Sequence, residues 1–140
     1  MNKSCLLTTA LLTLVLLLPA LSSAAAQEET MAPARMTIER FVAAQNVENH
    51  EPVGVTDIFA AATEKAYAFL EASNISADVL VDFVWYHGDK EMARVPLSIR
   101  KGNRWRTYSS KKLAGRTGKW RVEIQDRSGA GLAALDFTVQ

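Results

Sequence analysis

Two histidines, three tryptophans and one dense run of arginine and lysine are the residues of this 140-residue chain whose types could do chemistry. His50 lies in a Glu-Asn-His-Glu-Pro stretch and His87 in a His-Gly-Asp-Lys stretch. An imidazole titrates near neutral pH, so His87 with Asp82 or Asp89 is the one grouping that could serve a small hydrolase. The spacing argues against it. No second histidine stands at metal-ligand distance in sequence, there is no Gly-x-Ser-x-Gly elbow, and there is no glycine-rich phosphate loop. A solvent-exposed turn residue is the plainer reading of His87, and no catalytic residue, metal or cofactor is expected.

The basic run says more. From Arg100 to Arg121 there are nine basic residues and no acid: Arg100, Lys101, Arg104, Arg106, Lys111, Lys112, Arg116, Lys119 and Arg121. The charge is unevenly divided along the chain. Residues 27–82 hold ten acids and three bases, residues 83–140 five acids and twelve bases. Arginine forks match phosphate and carboxylate, and a focused positive patch speeds association with polyanions. The competing reading is a solvated sheet face, or basic residues neutralised by the acidic half folding across them.

These side chains must be held by strands. Val79, Val81, Phe83 and Trp85 alternate, His87 to Lys90 turns the chain, and Ala93, Val95, Leu97 and Ile99 alternate again. Pro96 on the opposite phase marks an edge strand, because proline cannot donate to a ladder. Lys101-Gly102-Asn103 turns next, and Trp105 and Thr107 then alternate with Arg104, Arg106 and Tyr108. Trp120, Val122 and Ile124 oppose Lys119, Arg121, Glu123 and Gln125. Leu135, Phe137 and Val139 close the last strand. Short strands with evenly spaced turns predict an antiparallel sandwich or barrel. If the Arg104–Arg106 and Lys119–Arg121 strands pair, they form one positive face. Trp85, Trp105 and Trp120 share phases with aliphatic neighbours and read as core anchors, Trp105 least firmly because arginines flank it. Tyr86 and Tyr108 fall on the polar phases. Met36 to Val47 reads as a first strand. Residues 57–72 are ambiguous: Phe59, Ala62, Ala66 and Phe69 have helical spacing, yet Lys65 to Glu71 also reads as a strand.

The first 26 residues have the form of a secretory signal, with Lys3, an apolar run from Cys5 to Leu21 and an Ala24-x-Ala26 cleavage pattern. Cleavage would remove Cys5, the only cysteine, and leave a chain of zero net charge with no thiol, no disulfide and no membrane span. Residues 27–35 read as a polar tether and 36–140 as one domain, long enough to bury a core unaided. An apolar content of 49% with 22% charge excludes a disordered chain, and a formal net charge of +1 does not fit a dedicated nucleic-acid binder.

Several motifs together resemble an uncharacterised bacterial family, the domain of unknown function 2914. They are Gly102-x-x-Trp105-Arg106-Thr107-Tyr108-Ser109-Ser110-Lys111 and Gly118-Lys119-Trp120-Arg121-Val122. With them go Ala66-Tyr67-Ala68-Phe69 before Asn74, Val84-Trp85-Tyr86, Glu51-Pro52, and the stretch from Gly129 to Val139. The resemblance spans residues 36–140. It implies an exported all-β domain without an established activity, and a strand near Glu64–Ala72 with residues 55–63 as a loop or short helical turn. A histidine often stands two residues before the tryptophan of the central strand in this family. Phe83 stands there here, which weakens any role for such a histidine.

The expectation is therefore an exported, periplasmic or secreted, immunoglobulin-like antiparallel β-sandwich of about seven strands. It would act as a non-catalytic binding module. The expected ligand residues are Arg104, Arg106, Tyr108, Lys119 and Arg121, with Trp85, Trp105, Gly118 and Trp120 as framework. An anionic envelope glycan or lipid, or an acidic protein surface, is the expected partner. The alternative is an assembly accessory that pairs through a sheet edge.

Overall fold

The computed structural model describes residues 34–140. The leader and most of the tether lie outside the described residues. Nine strands form: β1 (Thr37–Glu48), β2 (Glu51–Val55), β3 (Ile58–Phe59), β4 (Lys65–Ile75), β5 (Val79–His87), β6 (Lys90–Ile99), β7 (Gly102–Lys112), β8 (Gly118–Gln125) and β9 (Gly131–Val139). There is no helix among the described residues. Two sheets result, one of order β2-β1-β4-β7 and one of order β3-β9-β8-β5-β6. In the lettering of immunoglobulin-type sandwiches, β1, β4 and β7 take the places of A, B and E. Strands β5, β6, β8 and β9 take those of C, C′, F and G.

The core lies between the sheets. Alternation turns Ala66, Ala68, Leu70 and Ala72 of β4 inward against Val81, Phe83 and Trp85 of β5 and Trp120, Val122 and Ile124 of β8. Three of these four on β4 are alanines, which leave room for the large ones opposite. Trp85 is fully buried, and its indole N–H donates to Ser109 Oγ of the other sheet at 3.1 Å. Trp120 stacks on Phe137 with ring centroids 5.9 Å apart and donates to the Arg116 carbonyl. Trp105 also faces inward, half-buried against the same core. All three tryptophans are thus framework residues.

The predicted turn at His87–Lys90 forms as a two-residue hairpin, with Gly88 at positive φ (58°) in its first central position. Strand β6, which carries Pro96, is an edge strand as its sequence requires. Residues 65–75 are a strand, as the resemblance implied and helical spacing did not. Two expectations need correcting. Residues 55–63 contain no helical turn. They contain β3, which lies parallel to β9 at Ile58↔Thr138 and Phe59↔Val139. The strand count also exceeds seven, because the segment 51–59 supplies the two short strands β2 and β3.

Candidate functional site

The two halves of the expected basic face do not meet. Strand β7, with Arg104, Arg106 and Tyr108, is an edge of the four-stranded sheet, while β8, with Lys119 and Arg121, lies inside the five-stranded sheet. The five side chains point to opposite outer faces of the sandwich, since Trp105 and Trp120, on the alternate phases, both point into the core. The reason is the connection Leu113–Thr117, which carries the chain from one sheet to the other.

The outer face of the five-stranded sheet is neutralised. Arg121 meets Glu123 at 2.9 Å and Asp136 at 3.6 Å. Arg94 meets Asp82 at 3.2 Å and donates to Gln125 Oε1 at 3.1 Å. Gln125 donates in turn to Glu123 and to the Tyr86 hydroxyl. The Gln125 bond, helped by Arg121, holds the Glu123 carboxyl below its usual range against the opposing effect of burial. Lys119 stays exposed at the margin.

The hydrolase grouping is not assembled. Alternation carries His87 onto the inner phase with Phe83 and Trp85, opposite Trp120 in register, where its ring lies 4.8 Å from Trp120 and its Nε2–H donates to the Thr117 carbonyl at 2.7 Å. Asp82 is on the outer phase, five residues and about 17 Å along the strand, held by Arg94. Asp89 stays in the exposed turn. Gly118 sits beside His87 with φ at 104°, a backbone state that side chains disfavour. No group of three or more potential metal-ligating side chains is gathered among the described residues.

The outer face of the four-stranded sheet is different. Its rows follow from strand register. Arg40 of β1, Glu71 of β4 and Arg106 of β7 lie abreast, then Val42, Phe69 and Tyr108, then Ala44, Tyr67 and Ser110, and finally Lys65 beside Lys112. Arg104 flanks Ser73 at the other end.

Glu51 joins this face from an unexpected direction. It is paired with Glu48 at the tip of the β1–β2 hairpin, across Asn49 and His50, both at positive φ (51° and 59°). Position 48 is eight residues along β1 from Arg40, about 27 Å in an extended strand. Yet the Glu51 carboxylate lies 3.1 Å from the Arg40 guanidinium and 2.7 Å from that of Arg106. Strand β1 pairs with β4 only as far as Ala44. Beyond it the β1–β2 ribbon must turn back across the sheet as an arm. The arm explains why Phe69, on the outer phase, is 0% exposed, and why Arg106 reaches the His50 carbonyl at 3.4 Å.

Under the arm the charges are interleaved. Arg40 Nε donates to Glu71 at 2.8 Å and its Nη2 also contacts Glu71. Arg104 Nε donates to the other Glu71 oxygen at 2.6 Å. Arg40 lies over the Phe69 ring, 5.1 Å from its centroid. The Arg40 hydrogen bond, with Arg104 adding to it, holds the Glu71 carboxyl below its usual range against the cost of burial. Beyond the arm, Tyr67 and Tyr108 pack with centroids 5.9 Å apart, and Tyr108 remains 45% exposed. Lys65 and Lys112 stand directly opposite each other, and neither has an ion-pair partner among the described residues. Like charges directly across a ladder destabilise it, so this row is a local cost to the fold.

Sequence reasoning found Arg104, Arg106 and Tyr108 and placed Lys112 in the basic run without making it a ligand residue, but missed Arg40, Glu51, Glu71, Tyr67 and Lys65 as site residues. The available signal was Glu71 inside an otherwise apolar stretch from Ala66 to Ala72.

Residues 80–139 match the family described as protein of unknown function (DUF2914). The match takes in Trp85, Trp105, Gly118 and Trp120, whereas Glu51-Pro52 and the Tyr67 strand precede it. No curated protein matches the chain. Among solved structures, a β-glucosidase from Listeria innocua in complex with isofagomine is similar at 8% identity and a TM-score of 0.47. That similarity covers 76% of this chain and 16% of the enzyme. A β-glucosidase from Kluyveromyces marxianus is similar at 11% identity and a TM-score of 0.46, covering 76% and 14%. The chain thus spans less than a fifth of the length of these enzymes.

Proposed function

We propose, for a chain whose residues 80–139 match the domain of unknown function 2914 family, a non-catalytic binding module that takes an anionic ligand on the outer face of the four-stranded sheet. The secretory form of the leader supports a periplasmic or secreted setting, in which anionic glycans and lipids of the envelope and acidic protein surfaces would be the partners. One observation carries the reading. The partly exposed Tyr67–Tyr108 pair is bracketed by Lys65 and Lys112 on one side and by Arg104 and Arg106 on the other. Aromatic rings offer stacking area, and cations that lack a protein partner offer charge at little added desolvation. Lys119 and Arg121 are not part of this site, because they lie on the opposite face.

The test is a titration of the purified protein against an acidic polysaccharide, polygalacturonate, and a neutral one, dextran, at low and high salt. Binding should be selective for the acidic polymer and weaken with salt. Lys65→Ala with Lys112→Ala should cost roughly three- to tenfold in affinity, and Tyr108→Ala a similar amount. Lys119→Ala with Arg121→Ala should change nothing. Equal losses from the two faces would reduce the binding to general charge attraction and end the proposal.

A second reading has its own support. Val53, Val55 and Ile58 are exposed large apolar residues on the free edge strands β2 and β3, with Val55 57% exposed. An assembly accessory would pair there, since β6 is blocked by Pro96 and β7 carries the inward-pointing Lys111 near its end.

A further inference from the structure

The geometry points to Glu51 as a built-in stand-in for the ligand: its carboxylate occupies an anion site formed by Arg40 and Arg106, and an incoming uronate carboxylate of an acidic polysaccharide displaces it together with the arm. This rests on the binding face proposed above and names its central subsite and its regulation.

Four observations converge. Both Glu51 oxygens are engaged by the Arg40 guanidinium, at 3.1 to 3.2 Å, while Arg106 holds the same carboxylate at 2.7 Å. A two-pronged Arg40 guanidinium, with a single Arg106 nitrogen beside it, on one carboxylate is the kind of pairing by which proteins recognise a carboxylate ligand. The receptor half is fixed without Glu51: Arg40 is anchored from below by Glu71 and by the Phe69 ring, so its fork stays in place when the arm leaves. A buried donor also remains unused beneath the arm. Arg106 Nε has no hydrogen-bond partner and lies 3.8 Å from Glu71. A buried donor left unmade is costly, and an acceptor larger than Glu51 could reach it. Finally, Glu51 arrives on a two-stranded ribbon that has left the sheet after Ala44. A free two-stranded hairpin is only marginally stable, so the arm is held down chiefly by its contacts with this face.

The spacing selects a carboxylated sugar. Tyr108 is two residues from Arg106 on the same face of β7, about 7 Å away. A hexuronate ring with its carboxylate on Arg40 and Arg106 therefore reaches the tyrosine pair with its own or its neighbour's ring face. The covering arm lowers the apparent affinity by the fraction of time the site is open.

The experiment compares wild type with Glu51→Gln, which keeps the shape and removes the charge. An oligogalacturonate should bind the variant roughly five- to tenfold more tightly, the range expected for losing one partly exposed ion-pair competitor. In the wild type, saturating oligogalacturonate should speed amide hydrogen exchange in residues 51–55 and slow it at Tyr108. Exchange provides a readout that does not depend on any variant folding. Unchanged affinity in Glu51→Gln, or unchanged exchange in the arm, overturns the inference. If affinity still falls with Lys65→Ala and Lys112→Ala in that case, the binding face survives and only the stand-in role fails. If no acidic polymer binds at all, both fall. Equal tightening toward poly-glutamate overturns the assignment to a sugar acid.

Discussion

Replacing Glu71 with glutamine tests the charge network from its centre. Glu71 is 7% exposed and accepts from Arg40 Nε at 2.8 Å, from Arg40 Nη2, and from Arg104 Nε at 2.6 Å. A hydrogen bond to a charged group contributes about 1.5–3 kcal/mol. The three do not add. The Arg104 side chain is 56% exposed and regains water when released. Arg40 keeps Glu51, and glutamine keeps one acceptor. What is lost outright is the compensation of a mostly covered guanidinium, so the expected destabilisation is about 2–3 kcal/mol. With a urea slope of about 1–3 kcal/mol per molar for a domain of this size, the unfolding midpoint should fall by roughly 1–2 M at unchanged slope. The buried Trp85 and Trp120 make intrinsic fluorescence a direct probe.

The pH dependence gives a second, sharper criterion. Arg40 and Arg104 lower the folded pKa of Glu71 beneath its ordinary 4.5. A group with a depressed folded pKa adds stability that is fully present above the unfolded value and is lost as pH falls through the folded one. The gap between wild type and Glu71→Gln should therefore be constant from neutral pH down to about 5 and narrow steadily below 4.5. A gap under about 0.5 kcal/mol at neutral pH, the range of ordinary surface changes, would refute the network reasoning. A gap that persists undiminished in strong acid would show that shape rather than charge is responsible.

Two further substitutions address the framework. Ser109→Ala should cost about 1–3 kcal/mol by leaving the buried Trp85 indole N–H without an acceptor, whereas Trp85→Phe combined with it should cost no more than Trp85→Phe alone. Thermal unfolding of the three variants closes that cycle. Gly118→Ala meets only His87 Nε2, at 3.8 Å, so any loss comes from its φ of 104°; calorimetry should show about 1–3 kcal/mol, and a neutral result would mean the backbone relaxes.

How much was legible depended on whether a strand had one covered face or two. Strands β8 and β9 bury chiefly one face, as does β5 apart from the buried Val84, and their alternation from Val79 to Trp85, Trp120 to Ile124 and Leu135 to Val139 could be read directly. Strand β4 could not be read that way. Its inner face packs into the core, and Phe69 and Glu71 on its outer face lie under the arm. Burial on both faces erases the period of two and leaves an alanine-rich stretch that passes for a helix. The arm itself was invisible for another reason. Its position depends on contacts between residues far apart in sequence, Arg40 with Glu51 and Glu51 with Arg106, and no local pattern encodes them.

The separation of charge along the sequence finds its meaning in the sheet order. The acidic first half supplies β1, β2 and β4, and the basic second half supplies β7, yet all four lie in one sheet. Glu71 and Glu51 are thereby set against Arg104 and Arg106, so much of the apparent patch is spent on holding strands and arm together. The chain then crosses to the other sheet before Lys119 and Arg121, where Glu123 and Asp136 answer Arg121 in the same way. None of the lysines among the described residues joins these ion pairs, and Lys65 and Lys112 differ from the others in facing each other across a ladder. No ion-pair partner answers them, and Tyr67 lies one row away and Tyr108 two rows away on the same face. On the proposed reading, the facing lysines near the tyrosine pair supply the charge that an external anion would meet, which is why their double substitution, and not that of Lys119 and Arg121, is expected to weaken binding.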